Sequence, residues 1–153
     1  MDEVLIREAN RNDAGAIHEL IVELAIYENA PNEVKVTVDE LAEDGFGADP
    51  AYKCIVAESK GAVVGFALYY MRYSTWKGRC VYLEDFLVKK EMRNKGIGDL
   101  LFKEILAISE KLNVRLITWQ VLDWNEPAIK FYDKYNAEFD GEWLNGKINF
   151  NGH

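Results

Sequence analysis

The chain has 153 residues, 49% hydrophobic and 29% charged, which is the size and composition of one globular domain able to bury a core without disulfides or metal staples. Its 26 acidic and 18 basic residues give a formal net charge of −8, which disfavours a nucleic-acid partner, because phosphate contacts need a basic footprint. The same excess suits small cations, although charge by itself speaks first for solubility.

Val4 to Glu8 reads as a short strand. Asn12 or Asp13 can cap the helix that follows, whose apolar positions Ile17, Leu20, Ile21, Leu24 and Tyr27 recur at three and four, ending before Pro31. Val38 to Glu43 predicts a second short helix, closed by the glycines of Asp44-Gly45-Phe46-Gly47. Three strand-like runs come next: Tyr52 to Glu58, Ala62 to Met71, and Arg79 to Val88. The short turns between them predict an antiparallel meander. From Ile97 the apolar residues Leu101, Ile105, Ile108 and Leu112 return to helical spacing. Arg115 to Val121 is a strand. Asn125 to Tyr135 is a helix, with Asn125 as its cap and Pro127 in its first turn. Two closing strands are expected near Asn136 to Phe139 and Trp143 to Phe150.

Several classes of chemistry recede. Cys54 and Cys80 are isolated, without a CxxC spacing, so neither a disulfide framework nor a zinc site is expected. His18 falls within the first helix and His153 is the last residue, so neither is a candidate for catalysis. The segment MDEVLIREANRNDAG carries acids where a secretory signal carries cations, and no run approaches the roughly 20 apolar residues of a membrane span. A cytoplasmic protein that touches no membrane is the expectation.

The informative stretch is Tyr82-Leu83-Glu84-Asp85-Phe86-Leu87-Val88 followed by Arg93-Asn94-Lys95-Gly96-Ile97-Gly98. A strand runs into a basic, glycine-bearing loop that opens into a long helix. Helix N-terminal N–H groups are unpaired and partly positive, and glycine lets an anion approach the backbone. A Rossmann fingerprint needs a third glycine where Leu101 stands, and a Walker loop needs Lys-Ser/Thr where Asp99 follows Gly98. Arg-x-x-Gly-x-Gly between an apolar strand and a helix is the remaining pattern.

With that loop the chain resembles the GNAT acetyltransferases, and among them the spermidine/spermine (diamine) and thialysine acetyltransferases. The resemblance rests on Glu23-Leu24-Ala25-Ile26-Tyr27-Glu28, Leu41-Ala42-Glu43-Asp44-Gly45-Phe46-Gly47, Val64-Gly65-Phe66-Ala67-Leu68-Tyr69-Tyr70, Leu83–Val88, the glycine loop, and Trp124-Asn125-Glu126-Pro127-Ala128-Ile129-Lys130-Phe131-Tyr132. It implies an α/β (α+β) GNAT fold over 1–153 as a single domain. The fold would be a mixed, mostly antiparallel sheet of about seven strands flanked by helices.

The resemblance also implies roles. The backbone of Phe86, Leu87 and Val88 would pair with the pantetheine of acetyl-CoA and hold an oxyanion. The pyrophosphate would take N–H groups across Arg93, Asn94, Lys95, Gly96, Ile97, Gly98 and Asp99, and Asn125 would also contact the coenzyme. Tyr132 would be the general acid. Tyr27, Glu28, Glu84 and Asp85 would bind the amine, with Glu84 assisting its deprotonation. Adjacent strand residues point to opposite faces, so only a β-bulge would aim Glu84 and Asp85 at one site. Asp85 is left open between a second amine contact and a structural ion pair. Trp76 would line the site or pack, and Glu142, where the match loses register, is left unassigned at the amine end. The expected reaction moves an acetyl group from acetyl-CoA to a primary amine of a diamine or polyamine by direct attack in a ternary complex. A thialysine, amino-acid or other small-amine acceptor is the alternative, and a non-catalytic coenzyme-binding domain the more distant one. No metal is called for, and a homodimer is implied.

Overall fold

The computed structural model describes residues 3–150, so His153 lies outside the described residues. The chain forms two compact units, one running to Trp119 and one from Gln120 onward.

The first unit is built on a five-stranded sheet in sequence order. Its strands are β1 (Val4–Glu8), β2 (Lys53–Ser59), β3 (Ala62–Ser74), β4 (Gly78–Val88) and β5 (Leu116–Thr118), with helices α1 (Ala14–Tyr27), α2 (Val38–Phe46) and α3 (Ile97–Lys111). β1 to β4 pair antiparallel, with short turns joining β2 to β3 and β3 to β4, and β5 joins β4 in parallel after the α3 crossover. Period-2 alternation sorts the side chains. Tyr52, Cys54, Val56, Phe66, Leu68 and Leu87 face α1 and α2, where Ile17, Leu20 and Leu41 meet them. On the other face Gly65 packs under Leu101, and Phe86 lies against Phe102. Both faces of β3 are therefore covered, and Val64–Tyr69 is a run of buried residues.

Local chemistry sets the helix ends, with one difference from expectation. Neither Asn12 nor Asp13 caps α1. Asn10 caps a 3₁₀ turn over Arg11–Asp13, accepting from the Asn12 N–H at 2.9 Å. The Asp13 carboxylate turns back to the Asn10 N–H and to Arg7. Thr37 caps α2 by accepting from the Glu40 N–H at 3.1 Å. Gly45 does not end this helix. It sits inside it because the Tyr52 ring occupies the space a Cβ would need, while the Tyr52 hydroxyl donates to the Leu41 carbonyl.

Asp13 is buried, and Arg7 holds it bidentately at 2.8 and 3.0 Å while also reaching Glu58 at 3.1 Å. The Arg7 hydrogen bond depresses the Asp13 pKa below the ordinary carboxylate range. A depressed carboxyl stabilises the fold above its unfolded pKa, and that stability is lost as pH falls through the folded value. Arg7→Ala strands a buried charge and should cost about 3 kcal/mol in chemical denaturation at pH 7. The variant's stability should also depend less on pH in the acid range.

The second unit holds α4 (Glu126–Asp133), capped by Asn125, whose Oδ1 accepts from the Ala128 N–H. The two expected closing strands do not form, so the sheet has five strands rather than about seven. Asp140 takes the chain instead. Its carboxylate accepts from the Glu142 N–H at 3.0 Å and from the Trp143 indole at 2.7 Å, a local turn that competes with a ladder. Leu144 and Ile148 remain exposed. Among the described residues no helix is long and apolar enough to cross a membrane.

Candidate active site

The register of β3 and β4 slips at one place. Leu68 faces Asp85, but Tyr69 faces Leu83, which leaves Glu84 as the extra residue of a β-bulge. In an unbroken strand Glu84 and Asp85 would point apart. Here Asp85 lies opposite Leu68 on the α1 side of the sheet. Glu84 accepts from the Tyr70 hydroxyl at 2.9 Å, and Tyr70 packs on that same side. The bulge thus turns both carboxylates toward one face.

Their environments differ. Glu84 is exposed, whereas Asp85 is half-buried. Burial first, then the charges of Glu84 and Glu28, push the Asp85 carboxyl up to about 7. Burial also raises the Glu28 carboxyl, which lies just beyond the end of α1. Asp85 has no ion pair among the described residues, so the structural salt bridge considered for it is not made. Three carboxylates within electrostatic reach, one of them raised to about 7, can attract a cation and accept a proton from it.

Beyond the bulge, β4 loses its outer neighbour. β5 pairs only with Cys80, Val81 and Tyr82, so among the described residues no strand pairs along the outer side of Phe86, Leu87 and Val88. An extended ligand can add there by main-chain hydrogen bonds. Gly65 faces Val88, and a Cβ there would come within 3.0 Å of the Leu87 carbonyl, so glycine lets the two strands close tightly at this point.

The chain then turns over Lys90–Met92 into α3. Asn94 and Gly96 take left-handed backbone conformations, φ 63° and 81°. No side chain caps the helix at Gly96, and the first backbone bond of α3 runs from the Leu100 N–H to the Gly96 carbonyl. Asn94, Lys95 and Gly96 are exposed. An uncapped helix start behind an αL glycine is a fitting seat for a pyrophosphate. Arg93 is engaged elsewhere: its Nε donates to the Val88 carbonyl at 2.9 Å, and its guanidinium lies 3.6 Å from Glu23 and over the Tyr27 ring.

The Acetyltransferase (GNAT) family pattern matches residues 15–137. The chain belongs to the GNAT acetyltransferase family. It is therefore an acyltransferase, one of a family that moves an acetyl group from acetyl-CoA to a small amine. The thialysine N-epsilon-acetyltransferase of Bos taurus is 43% identical over 143 residues, covering 88% of this chain and 84% of that protein. The human spermidine/spermine N(1)-acetyltransferase-like protein 1 is 35% identical over 90% of this chain, though only over 21% of its own length. Among solved structures, a possible acetyltransferase from Clostridium difficile 630 superposes with a TM-score of 0.77 at 25% identity, covering 95% of this chain and 98% of that one.

In this GNAT chain the remaining expected residues fall as follows. Tyr132 is buried in the second unit, its ring edge-on to Phe131 at 5.6 Å and near Phe139 at 6.5 Å. Burial raises its phenol well above the ordinary value. Asn125 is buried as the α4 cap. Trp76 stands exposed on the β3–β4 hairpin, and Glu142 is exposed beside Asp140. Cys54 and Cys80 are buried, and burial pushes the Cys54 thiol up to about 12, which leaves it a poor nucleophile. The His18 ring lies 2.8 Å from the Val36 carbonyl. The geometry adds two residues that spacing alone did not single out. Tyr70 holds Glu84, and Glu23 holds Arg93. Both lie in segments that carry the resemblance, but neither was given a role there.

Proposed function

We propose that this chain is an acetyl-CoA-dependent N-acetyltransferase acting on a small aliphatic amine, with thialysine ahead of the diamines and polyamines as acceptor. The observation that carries the acceptor chemistry is the Glu28–Glu84–Asp85 cluster at the β4 bulge, with Asp85 raised to about 7. The strong likeness to thialysine acetyltransferases favours that amino acid. A polyamine acceptor is favoured by the same carboxylates and by the likeness to a spermidine/spermine acetyltransferase-like protein.

Bound acetyl-CoA supplies the acetyl thioester. The outer edge of Phe86, Leu87 and Val88 offers main-chain groups to its pantetheine and N–H donors to an oxyanion. The N–H groups from Asn94 through Asp99 receive its pyrophosphate, with Lys95 adding charge. Glu84 and Glu28 hold the substrate ammonium, with Tyr27 beside them. Asp85 takes the proton, a role we move from Glu84 because a carboxyl near 7 accepts a proton far more readily than an ordinary one. Tyr132 carries its proton throughout the physiological range and is the acid for the departing thiolate. Asn125 orients the start of α4. The chain is read as a single acetyltransferase domain, as the resemblance implies. The resemblance further supports a cytoplasmic homodimer.

Thiol release tests the reading. The protein, acetyl-CoA and, separately, thialysine, lysine, putrescine, spermidine and spermine are incubated and free thiol is followed. Release with thialysine should exceed release with lysine, since its side-chain amine is less basic and yields its proton more easily. Failure of every amine to release thiol above the background hydrolysis rate would refute the proposal.

A further inference from the structure

The loop that should seat the coenzyme is bolted to the helix that carries acceptor-side residues, and one carboxylate makes the joint. Glu23 Oε1 accepts from the Lys90 N–H at 3.1 Å, across 67 positions of sequence. The same oxygen lies 3.6 Å from Arg93 Nη2, with both side chains about two-thirds buried. Arg93 is fixed at two further points, by its Nε–H donated to the Val88 carbonyl and by the Tyr27 ring 5.7 Å below its Cζ. Glu23 and Tyr27 are four residues apart on α1 and so share a face, one turn above the other. Arg93 therefore spans one turn of α1 while gripping the last carbonyl of β4. Glu28 follows Tyr27 directly, and its charge acts on Asp85.

Arg93 in this setting is more than a cation for phosphate. A guanidinium with an ion pair, a carbonyl and a ring around it is a brace, and its planar fork suits that use better than an ammonium would. We infer that Glu23 is a positioning residue that, through Arg93 and the Lys90 turn, holds the end of α1 at a set distance from the β4 bulge, so that Tyr27 and Glu28 meet an amine bound at Asp85. The inference deepens the proposed amine acetyl transfer and rests on it.

Glu23→Gln keeps an oxygen for the Lys90 N–H but removes the charge that holds Arg93. Amine KM should rise about fivefold with kcat within about twofold, since misplacement of a positioning contact weakens capture more than chemistry here. Coenzyme A affinity, read by calorimetry without any amine, should stay within about twofold. Arg93→Gln should raise the amine KM similarly, and the double variant should add little, as expected for one shared contact. If wild type releases no thiol with any amine, the proposed function fails and takes the inference with it. If wild type is active but Glu23→Gln leaves the amine KM unchanged, the brace is refuted. So would it be if Glu23→Gln tightened coenzyme A binding, which would make Arg93 a phosphate ligand that Glu23 merely restrains.

Discussion

Asp85→Asn should lower kcat/KM for every amine roughly 10²- to 10³-fold and yet leave the protein at least as stable as wild type. The two effects have one cause. Burial and the charges of Glu84 and Glu28 disfavour the ionised carboxyl and lift it to about 7. That makes it a competent proton acceptor near neutral pH. It also makes its ionised form a burden on the fold. The sign follows from linkage: a carboxyl whose folded pKa lies above its unfolded value loses stability as pH rises from the unfolded value through the folded one. Asparagine is nearly isosteric and carries no charge, so the denaturation midpoint at pH 8 should rise or hold while turnover collapses. The pH profile supplies the sharper reading. In wild type kcat/KM should climb with pH to a plateau with a midpoint near 7, because the base must be ionised. Asp85→Asn should lose that acid limb. Were Glu84→Gln to abolish the limb while Asp85→Asn kept it, the base would be Glu84 after all.

In the proposed reading the base is Asp85 rather than Glu84, and a linear pattern carries only part of the grounds for that choice. Glu84 and Asp85 are conspicuous as adjacent acids in an apolar strand, and the need for a bulge follows from strand geometry alone. Which residue is extruded, and which is buried, depends on the pairing of β3 with β4, two strands of 13 and 11 residues whose register no local spacing sets. The glycine loop was legible because Arg93–Gly98 joins a strand to a helix, and those elements formed where expected. The side-chain partners of Arg93 were not, because Glu23 lies 70 positions earlier on another element. Gly45 misled for a related reason: a glycine late in a helical pattern reads as a stop, but here it makes room for Tyr52 just before β2, and the helix ends at Gly47. The closing strands failed on competition. Trp143-Leu144 and Ile148-Asn149-Phe150 have strand-like composition, but Asp140 ties its own neighbourhood into a turn. A hydrophobic run without a paired partner strand pays chain entropy for nothing.

Tyr132→Phe should reduce kcat roughly 10²-fold while changing KM for acetyl-CoA and amine by no more than about twofold. The hydroxyl is the only group removed. The ring keeps its contacts with Phe131 and Phe139, so the variant should melt within a few degrees of wild type, and a lost rate can be read as lost chemistry. A phenol serves as an acid only while it holds its proton. Burial raises the Tyr132 pKa, so the proton is present across the whole range in which Asp85 ionises, and the two groups are set in opposite states at pH 7 to 9. That opposition is what a reaction needs when one group takes a proton from the amine and another gives one to the thiolate. The size of the defect should depend on the leaving group. A thiol has an ordinary pKa near ~8.5 and can depart unprotonated at a cost, so an acetyl thioester of a more acidic thiol should narrow the gap between wild type and Tyr132→Phe. A phenylalanine variant with full turnover from pH 6 to pH 10 would remove Tyr132 from the chemistry and leave it a core residue of the second unit.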